Sequence, residues 1–249
     1  MEINAGHTNI DTLFAVGAHY GYAKSRRHPS YAPFVFATKD GSDVIDLEKT
    51  VGKFAAALAY VKEQAAQGKT MLFVGTKPEI KKIVEAAALS VDAPYMTHRW
   101  IGGLITNFME VKKRIKRLDD FRTKKERGEL SVYTKKEQML INQEIDELTA
   151  NFGGVAALTA LPGIMFVVDP RHEETAMAEA AKKHIPVVVL AGTDCNIADL
   201  EHVIPANDSG PESVELFVRA IADAYSTGRA ARASAADAAK AAAPAPVVA

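Results

Sequence analysis

The chain has 249 residues, 48% of them hydrophobic and 24% charged, with a formal net charge of −1. That is ordinary globular composition, long enough for one large core or one core with an appendage. The single cysteine, Cys195, excludes an intramolecular disulfide, no apolar run approaches the ~20 residues of a membrane span, and the opening MEINAGHTNIDTLF has acids and polar groups where a signal peptide needs an apolar stretch. A soluble protein of a reducing compartment, the cytoplasm, is expected.

Taken in order, residues 9–16 open a short helix with Asn9 or Asp11 as its cap. Residues 21–33, GYAKSRRHPSYAP, read as a basic loop, and 34–46 as a hairpin turning at Asp40-Gly41. Leu47, Val51, Phe54, Leu58 and Val61 keep helical spacing up to Gly68. Residues 70–75, TMLFVG, form a continuous apolar run, as in a strand buried on both faces. Pro78 fits the first turn of a helix reaching about Ser90, and a short strand follows at 94–97.

Two amphipathic segments come next. Phe108, Val111, Ile115, Leu118 and Phe121 mark the first, and Met139, Leu140, Ile145 and Leu148 the second, with Thr134 as a cap between them. They predict a charged helical hairpin that Gly153-Gly154 breaks. Then strands at 164–169, 187–192 and 202–205 alternate with helices at 173–184 and 211–227. Such alternation predicts an α/β fold with a parallel sheet covered on both faces. The expected division is an α/β domain from 1–106 and 152–228, an inserted hairpin from 107–151, and a disordered Ala/Pro-rich tail from 229–249.

Charge is segregated along the chain. Residues 98–118 hold six Lys/Arg against Glu110 alone, whereas 151–223 hold four Lys/Arg against eleven acids. A basic face for a polyanion and an acidic face turned elsewhere would explain this.

Ligands of a parallel sheet sit at the carboxyl ends of its strands. Gly75-Thr76-Lys77 resembles the end of a phosphate loop, but the upstream glycine is missing and Pro78 stands where a hydroxyl residue is required. Gly102-Gly103 lacks the third glycine of a dinucleotide loop and reads as a sharp turn. Asp169, His172, Glu173 and Glu174 have no metal-ligand spacing, and Asp169 and Glu173 read as helix caps. Cys195 has no histidine partner in its local sequence. No catalytic constellation is complete, so no cofactor and no metal are expected.

What recurs is basic side chains on strand-end loops and on the helix that follows. The candidate RNA contacts are Lys24, Arg26, Arg27, Lys77, His98, Arg99, Asn107, Lys112, Lys113, Arg114, Lys116 and Arg117. Their charges would neutralise phosphates without reading sequence. Trp100, the only tryptophan, is expected to pack beneath its loop. The competing reading is an α/β enzyme holding a sugar phosphate or nucleotide with Thr76, Lys77 and His98.

The ordered series GAHYGYAKSRRHPSYAPFVFATKDGSDVIDLEKT, LFVGTK, HRWIGGLITNFMEVKKRIKRL, TKKE, LPGIMFVVD, IPVVVLAGTDCN and HVIPAND resembles the bacterial family of small ribosomal subunit protein two, from Leu13 to about Arg229. The resemblance implies a three-layer, flavodoxin- or Rossmann-like sandwich with a protruding helical hairpin and no catalysis. It implies a structural role in the small subunit, bound to ribosomal RNA near the junction of head and body. It further implies other small-subunit proteins as partners, including the mRNA-capturing protein one built of OB-fold repeats. The chain departs from the family pattern at Tyr22, where a second histidine is usual, and at Ile197-Ala198-Asp199, where an Asp-Pro is usual.

Overall fold

A computed structural model describes residues 9–242. Helix α1 (Ile10–Ala15) leads into strand β1 (Tyr20–Ala23), and β2 (Val35–Lys39) and β3 (Ser42–Ile45) form the expected hairpin. The three make a small antiparallel sheet in the order β1-β3-β2. Strand β1 lies in the segment expected as loop, which carries no alternating pattern to betray it. Helix α2 (Leu47–Ala66) is capped by Asp46, whose carboxylate accepts from the backbone N–H of Glu48 and Lys49 at 3.1 and 3.4 Å.

The main sheet contains β4 (Met71–Val74), β5 (Tyr95–Met96), β6 (Ile164–Val168), β7 (Val187–Ala191) and β8 (His202–Pro205). It is parallel throughout, in the order β5-β4-β6-β7-β8. All four residues of β4 and all five of β6 are buried, as strands covered on both faces must be. On one face Met71, Phe73, Phe166 and Leu190 pack against α2, α3 (Lys81–Ser90) and α7 (Pro211–Ala242), with α4 (Phe108–Glu126), α5 (Lys135–Phe152) and α6 (Glu174–Lys182) elsewhere in the chain. On the other, Leu72, Val74, Met165 and Val167 meet α6, the hairpin residues Val111, Ile115 and Phe152, and Trp100. The small sheet covers the same side farther along, where Ile45 and Tyr31 reach Val189 and Val203.

Helices α4 and α5 are the inserted hairpin. Thr134 and Glu137 form a complete capping box at its turn. The tail departs from expectation, because α7 does not stop at Thr227 but continues to Ala242, while 243–249 lie outside the described residues. Alanine is the best helix former, so an alanine-rich segment extends a helix that tertiary packing has already nucleated. Arg229 adds an anchor by donating to the carbonyl of Val91 at 2.5 Å.

Helices α2 and α7 pack closely at Gly228, where an added Cβ would meet the Lys62 carbonyl and the Ala65 side chain. Gly52, also on α2, faces open space. Gly228→Ala should therefore cost about 1–3 kcal/mol by overpacking, whereas Gly52→Ala should stabilise by about 0.5–1 kcal/mol through helix propensity. Denaturant midpoints of the two variants would check the contrast.

Candidate functional site

The strand order reverses direction between β4 and β6, and there an open parallel sheet usually holds a ligand. In this chain the crevice is filled from within. Lys77 follows β4, and its Nζ lies 2.6 Å from Asp169 Oδ2 at the end of β6 and 3.3 Å from Asp208 Oδ2 beyond β8. Asp169 takes a left-handed backbone (φ +61°), which aspartate tolerates, and its Oδ1 accepts from the N–H of Arg171 and His172 at 3.0 and 3.1 Å. Tyr22 Oη and Ser209 Oγ, 2.5 Å apart, each accept from Lys77 Nζ at 3.4 and 3.3 Å.

Electrostatics divides the two aspartates. Burial raises Asp169, but the Lys77 ammonium, the His172 N–H and the Cys195 thiol outweigh it and leave the carboxyl below the usual range. Burial dominates at Asp208, and with Asp169 and Asp194 nearby its carboxyl is pushed up to about 6 despite Lys77. Burial also acts against the charge of Lys77, yet the two carboxylates hold its ammonium more firmly protonated than usual. Asp169, Cys195 and Asp208 offer ligand atoms within 4.8 Å of one another, but the cation between the carboxylates is Lys77 itself. Cys195 is buried, and its surroundings push its thiol well up.

Beside this cluster, Glu173 does not cap its own helix as expected. Its Oε1 accepts from Thr76 N–H at 2.9 Å and from the Thr76 hydroxyl at 2.5 Å. A phosphate placed on Thr76 and Lys77 would therefore face three carboxylates. Both residues of the expected phosphate cradle serve internal contacts, and the enzyme reading loses its geometry.

The second construction is the corner at residues 98–107. Trp100 is 8% exposed and packs against the apolar layer that includes Leu104 and Val111, as expected of a lone indole. Its ring N–H donates to Glu179 Oε1 at 3.1 Å, and Gly103 N–H donates to the same oxygen at 2.7 Å. Glu179 Oε2 accepts from Ile105 N–H, Thr106 N–H and the Thr106 hydroxyl, each at 3.0 Å. Five donors thus converge on one buried carboxylate. Burial raises Glu179, but the donors from Thr106, Gly103, Trp100 and Ile105 outweigh that and leave it below the usual range. Gly103 takes φ +88°, the turn expected of the glycine pair.

The sequence-derived basic residues fall into separate settings. Lys24, His98, Arg99, Asn107, Arg114 and Lys116 are exposed, and none of them has an ion pair among the described residues. Lys112 lies over the Phe108 ring, Lys113 pairs with Glu110 at 2.7 Å, and Arg117 pairs with Glu144 at 2.7 Å. Arg27 reaches buried Asp43 at 3.4 Å. Arg26 shares Asp194 with Arg171, at 3.1 and 2.7 Å. Lys77 is the one withdrawn from the surface, its side chain 14% exposed.

Sequence reasoning missed Glu179, which it counted only as one acid among many. A signal existed, since Ala176, Glu179 and Ala180 sit at i, i+3 and i+4 on the buried face of α6. Arg171 was missed because only the fold brings Asp194 to it and to the distant Arg26. The acidic segment also changes meaning, because Asp169, Glu173, Glu179, Asp194 and Asp208 are all buried.

Comparison with known proteins gives a consistent result. The family model described as "Ribosomal protein S2" matches residues 13–228. A "Small ribosomal subunit protein uS2" of Chloroflexus aggregans is 37% identical over 219 residues, covering 88% of this chain and 92% of that protein. Another of the same description, from Geotalea uraniireducens, is 38% identical over 220 residues, covering 88% and 86%.

Two outcomes follow from the geometry. Glu179→Gln keeps the shape but replaces one acceptor oxygen by a donor, so it should cost about 3 kcal/mol. The depressed carboxyl makes this contribution complete above the ordinary glutamate range and lost as pH falls through the folded value. The lone Trp100 reports it directly, with an emission red shift in the variant at neutral pH. Lys77→Met strands two buried carboxylates and should cost about 3–5 kcal/mol at neutral pH. Because Asp208 is raised to about 6, its contribution is complete below the ordinary aspartate range and lost as pH rises toward that value. Wild-type stability should thus decline relative to Asp208→Asn over that interval, as thermal melts would reveal.

Proposed function

The chain belongs to the Ribosomal protein S2 family, a structural family of the small ribosomal subunit that serves translation, and on that premise we propose that it binds ribosomal RNA through the corner at 98–107 and exposed basic side chains of α4. The observation that carries this reading is the clamp on Glu179. It fixes the turn out of β5 so that Trp100 faces inward while His98 and Arg99 face outward. The helix that leaves the corner carries Arg114 and Lys116 into solvent with no neutralising carboxylate among the described residues. Cations carried on a fixed backbone release phosphate counterions without a backbone-ordering cost.

Within the particle, the proposal places the chain near the junction of head and body, with the OB-fold-repeat protein one docked on a separate surface. Glu174, Asp199, Glu201, Glu212 and Asp223 are left exposed in the acidic half of the sequence, and such charges repel RNA and suit a protein partner. No catalytic role is proposed.

Arg99→Ala, Arg114→Ala and Lys116→Ala combined should weaken incorporation into small subunits, with little change in melting temperature because all three are exposed. Sedimentation of reconstituted subunits measures it. Undiminished incorporation of the triple variant would remove these side chains from the RNA contact.

A further inference from the structure

A second group of basic residues, of which the sequence reading singled out only His98, is brought together by three distant segments. A cleft of about 490 Å³ opens between α3 and the root of the hairpin. Lys81 and Lys82 from α3, His98 from the corner and Arg122 from α4 line it. Its only carboxylate is Glu85, which accepts from the Tyr95 hydroxyl at 2.9 Å. None of these four basic residues forms an ion pair among the described residues. Among the described residues Arg122 donates to the Thr149 hydroxyl, at 3.1 Å.

We infer that this cleft is a binding site for the phosphodiester backbone of RNA, seated where the hairpin joins the α/β domain; the inference rests on the RNA-binding reading above. Three permanent positive charges and a histidine around one carboxylate repel one another in the free protein. A polyanion relieves that repulsion and releases counterions. The larger cleft, about 620 Å³, also gathers arginines, but there Asp194 pairs with both Arg26 and Arg171, and with Glu174 and Asp199 it sets three carboxylates against Arg26, Arg27 and Arg171. The smaller cleft retains its charge. Its donors are ammonium and guanidinium groups on long side chains, which suit repeated phosphates rather than the edge of a base. The one large aromatic side chain lining it, Tyr95, is half-buried, and its hydroxyl is committed to Glu85. Occupation would tie the hairpin to the sheet edge, since α3 and β5 belong to the domain and Arg122 to the insertion.

The test uses the full chain and a transcript of small-subunit ribosomal RNA, with binding followed across a salt series. Lys82→Ala with Arg122→Ala should weaken binding about tenfold and flatten the slope of log affinity against log salt by roughly 1.5. Lys53→Ala with Lys62→Ala, exposed on α2 and outside the cleft, should change neither as much. A hydroxyl-radical source tethered at Lys82→Cys should cut the RNA at discrete positions, and the buried native Cys195 should take up no probe. If the cleft variant keeps wild-type affinity and slope, and the tethered source leaves no cuts while the wild-type chain still binds, the cleft is overturned and the RNA reading stands. If the wild-type chain shows no salt-dependent binding at all, both fall. A thermal shift that saturates with inorganic phosphate or a mononucleotide and disappears in the cleft variant would mark a small-molecule site and overturn the inference.

Discussion

The carboxylate of Glu179 decides what the surface around it can do. A glutamate on the inner face of a helix is unfavourable unless its oxygens are satisfied, and here five donors from one seven-residue stretch satisfy them. Four of the five are groups that the sharp corner would otherwise leave without partners: the N–H of Gly103, Ile105 and Thr106, and the buried indole N–H. The helix gains a fully hydrogen-bonded carboxylate, and the corner gains a fixed shape. Neither side stands alone, because removing the acid orphans the donors and removing the donors buries a bare charge. The direction in which α4 leaves the domain, and so the placement of the whole hairpin, follows from this contact.

The switch-point crevice shows the same physics with a different outcome. The topology would allow a nucleotide between β4 and β6, and the loop after β4 even retains a glycine, a threonine and a lysine. What removes the possibility is the company these residues keep. Lys77 lies between two aspartates, and Glu173 takes both donors of Thr76. A buried cation bridging two carboxylates is costly to break, so the crevice acts as a cross-tie among the ends of β4, β6 and β8. The family's structural role is consistent with a sheet whose usual ligand site has been converted into internal bracing.

The main sheet and the hairpin were legible because their signals are periodic. Continuous apolar runs at 71–74 and 164–168, read as strands from their shortness and flanking glycines, the inward stripe of α4, and the Thr134 cap are local patterns. Strand β1 was not legible, since its four residues alternate weakly and its pairing partner lies beyond a helical turn. The extension of α7 was missed because an Ala-rich sequence is ambiguous until packing at Gly228 and Arg229 nucleates it. At the candidate site, sequence identified which residues are basic but not which are free. Lys77, Arg27 and Arg117 find acids far away in the chain, and Lys81, Lys82 and Arg122 converge only in three dimensions.

Burial also changes what the charge balance means. A formal net charge of −1 suggests indifference to a polyanion. Yet five of the acids between residues 151 and 223 are inside, and Glu173 and Glu179 are satisfied by N–H and hydroxyl donors rather than by cations. Those two acids enter the formal sum but do not neutralise any lysine or arginine at the surface. Screening limits exposed charges to about 8 Å at physiological salt, so an approaching phosphate responds to the nearest side chains rather than to the total. Around the hairpin root and the corner those neighbours are predominantly Lys, Arg and His. A nearly neutral chain can thus carry a strongly basic face, because its compensating acids have been used to hold that face in shape.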